Sequence, residues 1–415
     1  DTAYPSSMPI HEDQCNLSCG SIWHSMKLST SIFIGILSLF VSFTSCGRGQ
    51  QHTQQGDTIL ERDSIDFNFP VTVEYAHGFT VANHPDYKEL VMYKPGTRDT
   101  VADYILYLRS REQPRVAHPQ AVYIPVPARN LATSSSPHVG AVAVLGLQEV
   151  LVAVSDPEKV NDSLTRRRIQ EGKVQRIGRG MSKDIERIIG LHPDVFLQDL
   201  YSGTEKDTDL VASGINIVYF NNWKEQDLLG RAEWLKVIGL LYGRNAVADS
   251  AFRQMASNYQ IAAKQAKGTS RIVPVMYGLD YKGVWYVPGE YSYIVKAFSD
   301  AAISCDFIPG QIDSRPSSFE YVFRRNQHKK IWLCLMTGKL DKLSDFLALN
   351  ERYIHFDAVR EGEVWVDRKT LNSEGGNDFW ESGPYHPDLV LKDFIKIAHP
   401  ELLPGYETRY WMRLR

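Results

Sequence analysis

From Asn245 to Lys267 the chain runs without a single Gly or Pro, and Phe252, Met255, Ala256, Tyr259, Ala262, Ala263 and Ala266 recur at the three-and-four spacing of one helical face. The spacing predicts one unbroken helix on the order of 35 Å long at 1.5 Å per residue, a spacer's length. A second amphipathic helix, Arg231 to Leu241 (RAEWLKVIGLL), leads into it through Tyr242-Gly243. Strand-like and helix-like segments alternate on both sides. Before the helix come AVYIPV, a helix across His138 to Leu147, VLVAVS, a helix Lys183 to Ile189, VFLQ, a helix Asp207 to Ser213, and INIVYF. After it the pattern restarts at RIVPVMYG, IWLCLM and EVWVD. A surface helix within the first half is the plainer alternative, but the restart argues for a spacer between halves. Such alternation implies parallel sheets covered by helices. The expected fold class is therefore α/β, two Rossmann-like lobes joined by one long rigid helix, with a ligand cleft between them beyond the carboxyl ends of the strands.

The expected organisation is an N-terminal α/β lobe over 61–243, the connecting helix over 244–268, and a C-terminal α/β lobe and tail over 269–415. Short alternating runs between Asp66 and Leu108 (VTVEYAHGF, ELVMY, DYILYL) read as strands of one sheet leading into the first lobe. The segment 26–45 reads as a signal peptide: Lys27, an apolar stretch from Ile32, then Thr44 and Ser45 before Cys46. Its apolar part is short of the ~20 residues of a spanning helix. The Phe-Thr-Ser-Cys junction resembles a bacterial lipobox, with Phe43 where leucine is usual, and implies lipidation of Cys46. Residues 1–25 then read as an upstream extension without function, and the polar stretch over 46–60 as a tether.

Composition narrows the function. A net charge of −3 argues against a protein that lives on nucleic acid. Five cysteines with no C-x-x-C exclude a disulfide framework or a zinc ribbon. Cys305 and Cys334 lie in apolar stretches and read as buried thiols, with pairing in an oxidising compartment as the alternative. There is no G-x-S-x-G, H-E-x-x-H or phosphate-binding loop, and GRGMSK lacks the third glycine of a dinucleotide turn. No catalytic residue and no resident metal or permanently bound cofactor is expected. His192, His386 and His399 lie in His-Pro pairs, which read as turns and helix ends.

The segments TSSSPHVG with VLVAVSD, IERIIGLHPDVFL, LLGRAEWLKVIGLLYG, GVWYVPGEYSYI, RPSSFEYVF and NDFWESGPYHPDLVLKDFIKIAHPELLPG run in order from about Thr133 to Gly405. In this order and spacing they resemble the periplasmic binding proteins of ABC importers for cobalamin, ferric siderophores and haem, especially the long lipoprotein variety of Bacteroidota. The resemblance implies a monomer in the periplasm, held to the inner membrane only by its lipid. It would capture a small-molecule metal chelate containing iron or cobalt and deliver it to a permease with its cytoplasmic ATPase. It also implies that Glu186 and Glu320, one on each lobe, dock onto the permease. Each has a plainer role: Ser317-x-x-Glu320 has capping-box spacing, and Glu186 lies where acids favour the helix dipole.

The strand-end loops supply candidate ligand contacts. The first half offers Ser135, His138, Arg179, Tyr201 and the strand-end run Asn221, Asn222 and Trp223; the second offers Tyr277, Tyr281, Trp285, Tyr291, Arg315 and Trp380. Flat rings suit corrin or porphyrin planes, and arginines suit propionates or an anionic siderophore. His138 and Tyr277 are possible axial ligands of haem iron, although a helix-start histidine more often packs or caps. Three rival readings remain: a secreted tetrapyrrole-handling enzyme such as a chelatase, which would use His138; a binder of free zinc or manganese; and a purely structural lipoprotein.

Overall fold

The computed structural model describes residues 66–415 apart from 117, 181, 201–206, 282 and 336–341. The expected upstream extension, signal peptide, tether, lipidation site Cys46 and cleft residue Tyr201 lie outside the described residues.

Four strands form the first sheet: β1 (Phe79–Asn83), β2 (Tyr87–Tyr93), β3 (Thr100–Leu108) and β4 (Val122–Val126). The first three are antiparallel and β4 runs parallel to β3. Lys88, Leu90 and Met92 of β2 are buried while alternate residues are half-exposed, the period-two signature of a one-sided sheet. AVYIPV thus belongs to this sheet, not to the first lobe. The central strand of that lobe is the short β5 (Leu131–Thr133), too brief to stand out by periodicity. With β6 (Leu151–Val154), β7 (Gln175–Arg176), β10 (Val195–Gln198) and β11 (Asn216–Tyr219) it makes a parallel sheet ordered β11-β10-β5-β6-β7. A small hairpin, β8 (Gly178–Arg179) and β9 (Ser182–Lys183), stands at its end.

VTVEYAHGF does not begin as a strand, because its amides are taken by two distant buried carboxylates. Glu233 accepts from the N–H groups of Glu74, Tyr75 and Ala76, and Glu225 from those of His77 and Gly78 and from the Trp234 indole. Both glutamates lie on or just before the helices that end the first lobe, so these bonds strap the N-terminal sheet to that lobe. The expected helix Arg231 to Leu241 is two helices, Leu228–Glu233 and Leu235–Tyr242, that meet at Trp234.

The connecting helix spans Asn245–Lys267, and the seven residues of its apolar stripe are all buried. It packs on the helices Leu235–Tyr242 and Pro387–Ala398. Its first-turn amides, which have no acceptor within the helix, are satisfied from far away: the Asp66 carboxylate accepts from the N–H groups of Asn245 at 2.7 Å and Ala246 at 3.1 Å.

The second lobe repeats the parallel plan. β12 (Val273–Tyr277), β15 (Ile303–Ser304), β17 (Ile331–Cys334), β18 (Val364–Val366) and β19 (Met412–Arg413) are ordered β15-β12-β17-β18-β19, with only β19 antiparallel. A small antiparallel sheet of β13 (Asp280–Tyr281), β14 (Val284–Val287) and β16 (Arg315–Ser317) lies beside it. Cys305 and Cys334 are both free thiols. His192, His386 and His399 all cap helix ends. No helix among the described residues is long and apolar enough to cross a membrane.

Candidate functional site

In parallel sheets the carboxyl ends of the strands open onto the crevice. At those ends of β10 and β11 the first lobe sets a layer of buried polar side chains: Gln198, Asp199, Asn221 and Asn222, with Arg231 from the next helix. Asn221 Oδ1 accepts from the Leu200 N–H at 2.7 Å, and Asn222 Nδ2 donates to the Tyr385 hydroxyl at 3.2 Å. Burial raises the Tyr385 phenol far above its ordinary range, with Arg231 opposing and Asp199 adding to it. The Arg231 guanidinium lies 4.3 Å from the Tyr293 ring of the second lobe. Four buried atoms in this layer, Gln198 Oε1, Asn221 Nδ2, Asn222 Oδ1 and Arg231 Nε, have no hydrogen-bond partner among the described residues. Each is costly to leave so unless something polar meets it. The asparagines were legible in the sequence as a strand-end pair. Gln198, Asp199 and Arg231 were not singled out, although Q-D directly after an apolar strand is the signal that would have found them.

His138 is fully buried and has both ring nitrogens engaged: Nδ1 is 2.6 Å from Thr133 Oγ1, and Nε2 is 3.3 Å from the Phe220 carbonyl and 3.5 Å from Asp199. It fastens β5 to the ends of β10 and β11, and with both nitrogens engaged in the core it cannot reach a haem iron or serve a chelatase. Ser135 is the half-buried N-cap residue of the helix Ser136–Val144 that carries His138. Trp223 is half-buried with the Lys224 ammonium 4.5 Å from its ring, and Lys224 reaches across to Asp313 of the second lobe at 2.6 Å. The exposed Arg179 sits in the β8–β9 hairpin, whose Gly180 N–H donates to Asp156.

On the second lobe the aromatic candidates divide. Trp285 is 1 % exposed, packed 5.7 Å from Trp332, with its indole N–H donating to the Tyr277 carbonyl. Tyr277 packs edge-on to Phe298 at 5.2 Å, and burial pushes its phenol well up. Trp285 is core rather than cleft surface, because β14 turns it inward and leaves Tyr286 half-buried, while Tyr277 stays half-buried at the carboxyl end of β12. Tyr281 is half-buried, Tyr291 exposed, and Arg315 exposed with Nη2 donating to Gln311 at 2.7 Å. Trp380, half-buried and edge-on to Phe379, rides on the short helix Asp378–Glu381, which packs against the first lobe.

A cavity of about 210 Å³ adjoins Lys224, lined by His77, Tyr93, Arg98, Asn221 and Glu225 among others. Its outer wall is the N-terminal sheet. A methyl at Gly96 would sit 3.1 Å from Ile312, so the hairpin between β2 and β3 also touches the second lobe.

The lobes are clamped at a second place. Glu381 accepts from the Asn161 and Asp162 N–H groups at 2.6 and 2.7 Å, and Asn372 Nδ2 donates to the carbonyls of Glu158 and Val160. Burial pushes the Glu381 carboxyl up to about 8.

Glu186 is exposed in the first turn of Ile185–Leu191, whose cap is Asp184. Glu320 is exposed in the first turn of Phe319–Asn326, 3.1 Å from Arg352. The cap there is Ser318, so the box expected from Ser317 does not form.

Residues 132–371 match the sequence profile of a family described as periplasmic binding protein. Two uncharacterized lipoproteins of Methanocaldococcus jannaschii are related: one is 24% identical over 410 residues, covering 94% of this chain and 99% of its own. The other is 26% identical over 251 residues, covering 59% of this chain and just 57% of that relative's length. An ABC transporter substrate-binding protein from Listeria monocytogenes superposes with a TM-score of 0.51 at 17% identity, over 66% of this chain and 99% of that one. A periplasmic haem-binding protein from Pseudomonas aeruginosa gives 0.53 at 14% identity, over 69% and 98%. At these identities the superpositions speak to the fold.

Proposed function

The chain belongs to the periplasmic binding protein family, a family of substrate binders rather than enzymes, and on that premise we propose that it is the binding lipoprotein of an ABC importer for a metal chelate. The ligand would be haem, a ferric siderophore or cobalamin, held between the lobes over the polar floor of Asn221, Asn222 and Arg231 with Trp223 at its edge. Ser135, Arg179, Tyr281, Tyr291, Arg315 and Trp380 are further candidate contacts. A lipid on Cys46 would tether the body to the outer face of the inner membrane, in keeping with the lipoprotein relatives.

The observation that carries this reading is the placement of Glu186 and Glu320. Each is exposed in the first turn of a helix, one on either lobe, where neither supports a core. The Arg352 pair at Glu320 is a surface contact worth at most about 1 kcal/mol, so a permease arginine can replace it. Reversing both glutamates to lysine should abolish chelate uptake by cells while the purified chain keeps its affinity for haem, cobalamin or ferric siderophore, read from absorption spectra. A collapse of affinity in the same variant would make these residues part of the cleft and remove the docking role.

A further inference from the structure

We propose that the N-terminal sheet carries a binding site for a divalent d-block cation, formed by Glu89, Asp103 and His118, with His84 beside Glu89 as a fourth donor. The site lies ahead of residues 132–371, outside the segment shared with the binding-protein family.

Antiparallel pairing of β2 and β3 sets Glu89 opposite Ile105 and Val91 opposite Asp103, so the two carboxylates are diagonal neighbours on one face. Like charges placed so are unfavourable without a cation. His118, in the loop before β4, brings Nε2 to 2.9 Å from Asp103 Oδ2 and 3.8 Å from Glu89 Oε1. His84, just past β1, brings Nε2 to 3.7 Å from Glu89 Oε2. Its ring is held by stacking on Tyr87 at 4.2 Å. Donor atoms of Glu89, Asp103 and His118 all lie within 4.8 Å of one another. Metal–ligand bonds of 2.0–2.1 Å place tetrahedral donors about 3.3 Å apart, which the observed separations bracket.

Two further atoms point to an ion. Asp103 Oδ1 and His84 Nε2 are buried and have no hydrogen-bond partner among the described residues. The Asp103 side chain is only 10 % exposed. Mixed imidazole and carboxylate donors suit zinc, manganese, iron or nickel rather than calcium or magnesium. An ion here would clasp the end of β1, β2, β3 and the loop before β4, and so stiffen the sheet that walls the cavity beside Lys224. Both histidines precede prolines, like the other His-Pro pairs of the chain, and the sequence does not group them with Glu89 and Asp103 because the four come from separate segments.

The test is equilibrium dialysis of the purified full chain against ZnCl2, with metal per chain measured by mass spectrometry, for wild type, Asp103→Asn and His118→Ala. Wild type should retain one zinc and unfold at a higher temperature with zinc than without it. Each variant should keep its circular dichroism spectrum and lose at least about 100-fold in zinc affinity, the upper end of what loss of an outer-shell partner alone does. Wild type that retains no zinc would overturn the proposal, leaving the His118–Asp103 contact as a side-chain ion pair only. Equal retention by both variants would overturn it too, by placing the ion elsewhere.

Discussion

Replacing Gly140 by alanine tests how tightly the two lobes are clamped. Gly140 lies inside the helix Ser136–Val144, where alanine is ordinarily better by about 1 kcal/mol. Here a Cβ would stand 2.0 Å from the Glu381 carbonyl oxygen, 2.8 Å from its carbonyl carbon and 3.1 Å from the Tyr385 ring. The obstacle is backbone, so the helix Asp378–Glu381 must retreat by roughly 1 Å or more to reach ordinary contact. Retreat is opposed by the two backbone N–H hydrogen bonds that the Glu381 carboxyl accepts and by Asn372 across the same joint. Overpacking costs about 1–3 kcal/mol, and weakening the buried hydrogen bonds to the Glu381 carboxyl adds to it, so the net loss should be about 2–3 kcal/mol despite the gain in propensity. Urea unfolding measures it. Gly190→Ala is the control, since a Cβ there meets nothing within 4 Å and the helix Ile185–Leu191 should gain up to about 1 kcal/mol. Paired spin labels across the lobes should also report a wider separation in the Gly140 variant. A Gly140→Ala protein as stable as wild type would refute the clamp.

Other expectations follow from individual side chains. Glu381, with its carboxyl at about 8 against an ordinary 4.5, contributes stability that is full below pH 4.5 and lost as pH rises through about 8. The urea midpoint of wild type relative to Glu381→Gln should accordingly fall between pH 5 and pH 8.5, and a flat difference would disprove the linkage. Trp285→Ala should destabilise by about 3–5 kcal/mol in urea unfolding, while the folded protein keeps its chelate affinity; lost affinity with unchanged stability would return that ring to the cleft. Trp223→Ala should weaken chelate binding by about 1–3 kcal/mol in calorimetric titration, and unchanged affinity would take it out of the groove. Cys46→Ser should abolish incorporation of labelled lipid; equal labelling would sink the anchor assignment.

The sequence by itself determined the elements that repeat locally. The connecting helix and all seven of its inward residues follow from a 3.6-residue period, and the strands on either side of it from apolar runs punctuated by turns. Alternation along β14 says that Trp285 and Tyr286 face opposite ways, but not which face the core takes; only packing against Trp332 decided that. The same holds for His138, whose partners are supplied by β5 and by the ends of two other strands. AVYIPV was legible as a strand, while its place in the N-terminal sheet depended on pairing with β3. The bonds that fix the lobes and the sheet, Asp66 to the connecting helix, Glu233 to Glu74 and Glu381 to Asn161, join residues 179, 159 and 220 positions apart. A buried carboxylate is stable where backbone amides converge on it, and that convergence exists only once the chain has folded.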